Sequence, residues 1–169
     1  MKLKVWIIRI ILIVLILGWM FVIFGFSADD GDESQSLSDK ITYRVMKIIK
    51  PDYKKLPKKE QHKFFMTVSK TVRKIGHFGE YGILGLLVTG LLLTFEKIKN
   101  ISKKWYIYLM TVGWCLIYAI SDEIHQGFVK GRNTRLIDIV VDVFGGLVAA
   151  VILVAIWNMI NKRKKYEKV

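Results

Sequence analysis

Four apolar runs, at about residues 5–26, 75–95, 105–121 and 136–160, take up about half of this 169-residue chain. Each is close to the roughly 20 residues that an α-helix needs to cross about 30 Å of hydrocarbon, the third being the shortest. A soluble helix alternates apolar and polar faces, whereas these runs are apolar round most of their length, with Arg9 the one charge in the first. The pattern predicts an all-α, polytopic membrane protein with four transmembrane helices, built as one domain over residues 1–169.

Composition agrees. The chain is 53% hydrophobic, with a mean hydropathy of +0.35. Its one cysteine, Cys115, lies inside an apolar run, which excludes an intramolecular disulfide and a thiolate metal cluster. The formal net charge is +13, but the basic residues flank apolar runs. Anionic lipid headgroups are therefore the expected partner, and nucleic acid is not. Trp6, Trp105 and Trp157 stand near run ends, as interfacial anchors do. The first run follows "MKLK" like a signal peptide, yet its apolar core is too long and "FGFSADD" lacks a small-x-small cleavage site, so a retained helix is expected.

Charge leaves the orientation finely balanced. With the N-terminus inside, twelve Lys and Arg lie inside and fifteen outside. Position offsets the count. "SADDGDES" after the first run has no basic residue, while "NKRKKYEKV" lies directly against the fourth. Both termini are therefore expected in the cytoplasm. The connecting segment 27–74 carries two basic amphipathic stretches. Ile41, Val45, Ile48 and Ile49 share one side of a helix with Ser38 as its expected N-cap and Pro51 as its stop. Phe64, Val68, Val72 and Ile75 share a side of the next, where His62 falls on the polar face. Both stretches could lie on the membrane surface or pack on the transmembrane bundle.

Polar residues gather at one membrane face. Helices alternate in direction, so the end of the first run, the start of the second, the end of the third and the start of the fourth lie together. "KIGHFGEYG" puts His77 and Glu80 there, "SDEIHQ" puts Ser121, Asp122, Glu123, His125 and Gln126, and "RLIDIVVDVFGG" puts Asp138 and Asp142. Charges at such depth normally face a bundle interior or a wet cavity. Gly76, Gly79, Gly82 and Gly85 on the second run, and Gly145, Gly146, Ala149 and Ala150 on the fourth, allow close helix approach.

Several chemistries fit these residues. Glu80, Asp122 and Asp142 could neutralise Arg132 and Arg135 in a buried ionic network, with histidines filling hydrogen-bond gaps. His77, Glu80, Glu123 and His125 could hold a metal ion, but HxxE is short and common, and no metal or other cofactor is assigned. Glu80, Glu123 and His125 are the candidates for general acid–base work. Ser121 could act as a nucleophile beside His125, although a helix-terminal serine usually bonds to local backbone. "KGRNTR" brings two arginines to the mouth of the pocket, suited to a phosphate or carboxylate.

"RKIGHFGEYGILGLL", "SDEIHQGFVKGR", "LIDIVVDVFGGLVA" and the "FSADDGDES" after the first run together resemble the VanZ-like family of bacterial membrane proteins. The resemblance runs from Phe26 to about Ala150. It matches the family pattern at His77, Glu80, Tyr81, Ser121, Asp122, Glu123, His125, Gln126, Gly131, Arg132 and Asp138. It departs at Asp142, where many members carry Asn, at Asp29, where Gln is frequent, and at Lys130, in place of Pro. The family's namesake is associated with resistance to the glycopeptide teicoplanin. The resemblance therefore implies a cell-envelope role and glycopeptide tolerance. The polar residues placed at one membrane face, His77, Glu80, Tyr81, Ser121, Asp122, Glu123, His125, Gln126, Arg132, Asp138 and Asp142, are expected to line an outward-facing pocket. Its expected ligand is a lipid-linked cell-wall precursor, a phospholipid headgroup or a glycopeptide. The alternatives are a membrane-embedded hydrolase or transferase acting on such a lipid, and a small oligomeric transporter.

Overall fold

The computed structural model describes residues 2–28, 31–99, 104–129 and 134–166. Six α-helices follow in order: α1 (Lys2–Ala28), α2 (Gly31–Ile49), α3 (Lys58–Leu93), α4 (Glu96–Lys99), α5 (Trp105–Gln126) and α6 (Leu136–Tyr166). α1, α3, α5 and α6 are long and apolar enough to cross a membrane. No strand occurs among the described residues. The chain is a multi-pass membrane protein.

α3 is the hub, packing against α1, α2, α5 and α6. Ile16 and Ile23 of α1, Tyr81, Leu84 and Val88 of α3, and Cys115 and Ala119 of α5 form the buried core. Cys115 is thus a packing residue. Most large apolar side chains of α1 remain exposed, as suits a helix that meets lipid on most of its surface.

α3 and α6 meet at glycine. A Cβ on Gly85 would stand 2.6 Å from the Gly146 carbonyl oxygen, and one on Gly146 would stand 2.6 Å from Cys115 Sγ. A Cβ on Gly145 would collide with the Phe78 carbonyl. Ala149 and Ala150 continue the buried side of α6. The stripe on α3 is only half used, because Gly76 and Gly79 have nothing within 4 Å of an added Cβ.

The two amphipathic stretches pack on each other. α2 begins at Gly31, so Ser38 lies inside the helix and not at its N-cap. α2 ends before Pro51 and a short 3-10 turn, Tyr53–Lys55, leads to α3. α3 runs unbroken for 36 residues from the polar stretch into the membrane. The junction "RKIGHFG" contains glycines but no proline, and a glycine costs only about 1 kcal/mol in a helix. From Lys58 to the apolar start at Ile75, α3 rises roughly 25 Å beyond the hydrocarbon. α2, of 19 residues, covers a similar height. Thr42 and Met46 of α2 and Val68 of α3 are buried, and the rings of Tyr43 and Phe65 lie 5.0 Å apart. The pair is a hairpin that extends past the start of the apolar stretch of α3, with His62 exposed.

At the opposite end, Arg9 closes the bundle. Its Nε donates to Thr94 Oγ1 at 3.1 Å and its Nη2 to the Thr94 carbonyl at 2.9 Å. The guanidinium also lies 4.0 Å from the Phe95 ring centroid and 5.3 Å from that of Trp6. The charge that interrupts the first apolar run is therefore a clasp on the C-terminus of α3, where free carbonyls need donors. Lys104 stands over Trp157 at the same end.

Candidate functional site

The polar residues of α3, α5 and α6 do meet. His77 and Tyr81 are one turn apart on α3 and both are buried. Asp138 and Asp142 bear the same relation on α6, with Asp142 fully buried. His77 Nδ1 lies 3.2 Å from Asp142 Oδ1, which joins α3 to α6 above the glycine crossing.

α5 supplies the third wall from its last turn. Asp122, Glu123 and Gln126 are buried, while Ser121 and Ile124 face outward. Gln126 Nε2 donates to Asp122 Oδ2 and to Ser27 Oγ, both at 3.1 Å. Glu123 Oε2 accepts the backbone N–H of Arg135 at 2.9 Å, just before α6 begins. A carboxylate there satisfies a donor that the helix leaves free and complements its dipole.

Some expected residues take other roles. Ser121 Oγ donates to the Tyr118 carbonyl at 2.7 Å, the local backbone bond typical of such a serine. Arg135 meets the cluster through its backbone, and its side chain is exposed with no carboxylate partner among the described residues, so it does not neutralise the buried acids. Arg132, Gly131, Lys130 and Asp29 lie outside the described residues. Glu80 and His125 are half-buried at the edge, where the His125 ring lies 4.0 Å from that of Phe24. Among the described residues, no group of three or more His, Cys, Asp or Glu is placed to hold a metal ion. The quartet of His77, Glu80, Glu123 and His125 is not such a group.

The cluster has more acceptors than donors. Among the described residues, Glu123 Oε1, Gln126 Oε1 and Asp142 Oδ2 are buried with no hydrogen-bond partner, and so is Tyr81 Oη. Buried polar atoms are nearly always paired, so several unpaired ones at one place call for an explanation.

The VanZ/LLP1 family profile matches residues 12–158. The chain belongs to the VanZ/LLP1 family. No curated protein and no solved structure matches it. The matched region holds the whole polar cluster and all but the ends of the four spans.

Three contributors stand outside the polar motifs of the second, third and fourth apolar runs. Ser27 is 3% exposed and holds Gln126 from the end of α1. Trp19 Nε1 donates to the Glu80 carbonyl at 2.9 Å, and the Tyr118 hydroxyl donates to the Met20 carbonyl. These three tie α1 to the helices that bear the cluster. Ser27 stands within the "FSADDGDES" stretch that resembles the family's, the one signal that points to it.

Proposed function

We propose that this VanZ-family member binds an envelope ligand in the polar cluster and thereby contributes to glycopeptide tolerance, teicoplanin above all. In this reading the termini are in the cytoplasm and the cluster opens at the outer leaflet of a bacterial cytoplasmic membrane. The ligand is a lipid-linked cell-wall precursor or the glycopeptide itself. The observation that carries the reading is the surplus of unmatched, buried acceptors at Glu123, Gln126 and Asp142. A ligand rich in hydroxyl, amide or ammonium donors matches such a wall, as the sugars and amines of envelope precursors and glycopeptides do.

Susceptibility to teicoplanin and vancomycin in a sensitive Gram-positive host tests it, with empty vector, wild type and Glu123→Gln at matched membrane levels. The expected outcome is a rise in teicoplanin tolerance with wild type and none with Glu123→Gln. A wild type that behaves like empty vector would sink the tolerance reading.

A second reading rests on the 3.2 Å contact between His77 and Asp142. A carboxylate that orients an imidazole is the usual support of a general base. The protein would then hydrolyse or transfer a group on an envelope lipid. Turnover of labelled envelope lipid by purified protein, lost in His77→Gln, is its test, and inert wild type would rule it out.

A further inference from the structure

The tip of the α2–α3 hairpin carries a second group of polar residues, separate from the buried cluster. Tyr43, Arg44 and Lys47 on the last turns of α2, with Pro51, Tyr53 and Lys54 of the turn, line a cleft of about 370 Å³. All three cations are exposed, and none has a carboxylate partner among the described residues. The nearby acid, Asp52, pairs with Lys55 at 3.0 Å instead. The turn is fixed, because the Gln61 amide donates to the carbonyls of Lys54 at 3.0 Å and Leu56 at 2.8 Å. Three like charges held around one cleft repel each other and reduce stability. A solvated basic face would spread its charges apart. Segment 40–74 as a whole carries twelve Lys and Arg against Asp52 and Glu60.

We infer that this cleft binds the phosphate groups of a water-soluble phosphodiester or polyphosphate chain. An arginine fork takes two phosphate oxygens, the lysines add compact charge and the tyrosine hydroxyls add neutral donors. Height decides against the headgroups of the protein's own membrane. The tip stands roughly 25 Å beyond the hydrocarbon, and headgroups reach only about 5–8 Å. A polymer in the aqueous phase reaches it freely, and the surrounding positive charge extends its binding beyond a single phosphate.

The test uses the full chain in zwitterionic phosphatidylcholine nanodiscs and fluorescent inorganic polyphosphate. Wild type is compared with Lys47→Gln/Lys54→Gln, and with Lys59→Gln/Lys63→Gln, which removes equal charge from exposed positions outside the cleft lining. The expected result is about a tenfold or greater loss of affinity in the first double variant and about twofold in the second. The first should also unfold at the same or a higher temperature than wild type, because like charges have been relieved. Equal losses in the two variants would reduce the cleft to general charge and overturn the inference. So would polyglutamate binding as tightly as polyphosphate. Anionic phosphatidylglycerol nanodiscs make the last comparison. If they abolish polyphosphate binding to wild type but not to an otherwise equal extent in the first double variant, lipid headgroups occupy the cleft and the inference fails.

Discussion

The two ends of the bundle treat buried polarity in opposite ways. At one end Arg9 is brought into the membrane span and matched, its donors placed on Thr94 and its face on aromatic rings. At the other end Glu123, Gln126 and Asp142 are brought in with acceptors to spare. A matched set supports the fold. An unmatched one costs stability and persists where something else completes it. The difference separates a structural clasp from a candidate binding site without reference to any relative.

Four substitutions break or sharpen that contrast. The largest effect on stability belongs to Arg9→Ala. It removes two charge-assisted hydrogen bonds and leaves the end of α3 uncovered, at a cost of about 3 kcal/mol. Unfolding in mixed micelles measures it, and a cost below about 1 kcal/mol would mean that the clasp is ornamental. Surviving protein should match wild type in the teicoplanin susceptibility assay at equal levels. Next comes Gly85→Ala, which pushes α3 against the Gly146 backbone and costs about 1–3 kcal/mol. Gly79→Ala, where space is open, should be neutral or stabilise by up to about 1 kcal/mol through helix propensity. Equal effects at the two glycines would remove the close crossing. The smallest change in stability is expected for Glu123→Gln, within about 1 kcal/mol, because the amide oxygen still accepts the Arg135 N–H. That variant should nevertheless lose function. A large loss of stability there would make Glu123 a structural cap first.

The spans and the meeting of the polar residues were legible in the sequence, because both follow from local composition and helix alternation. Long-range partners were not. Arg9 is visible as an interruption, but Thr94 lies 85 residues away. Arg135 advertises a guanidinium, yet the site uses its N–H, which every residue but proline carries. The glycine repeat on α3 marks a stripe without revealing that only Gly82 and Gly85 approach α6. Amphipathicity likewise identified an apolar side at Val68 and Val72 but not what covers it. The covering surface is another helix, and the unbroken α3 decides that the pair stands upright.

That unbroken helix has a mechanical side. α3 is a lever whose fulcrum is the glycine crossing at Gly85. Roughly 40 Å of its length lies on the hairpin side of that point and roughly 13 Å on the Thr94 side. Any tilt about the crossing swings the hairpin tip about three times as far as the clasped end, and His77 rides on the long arm.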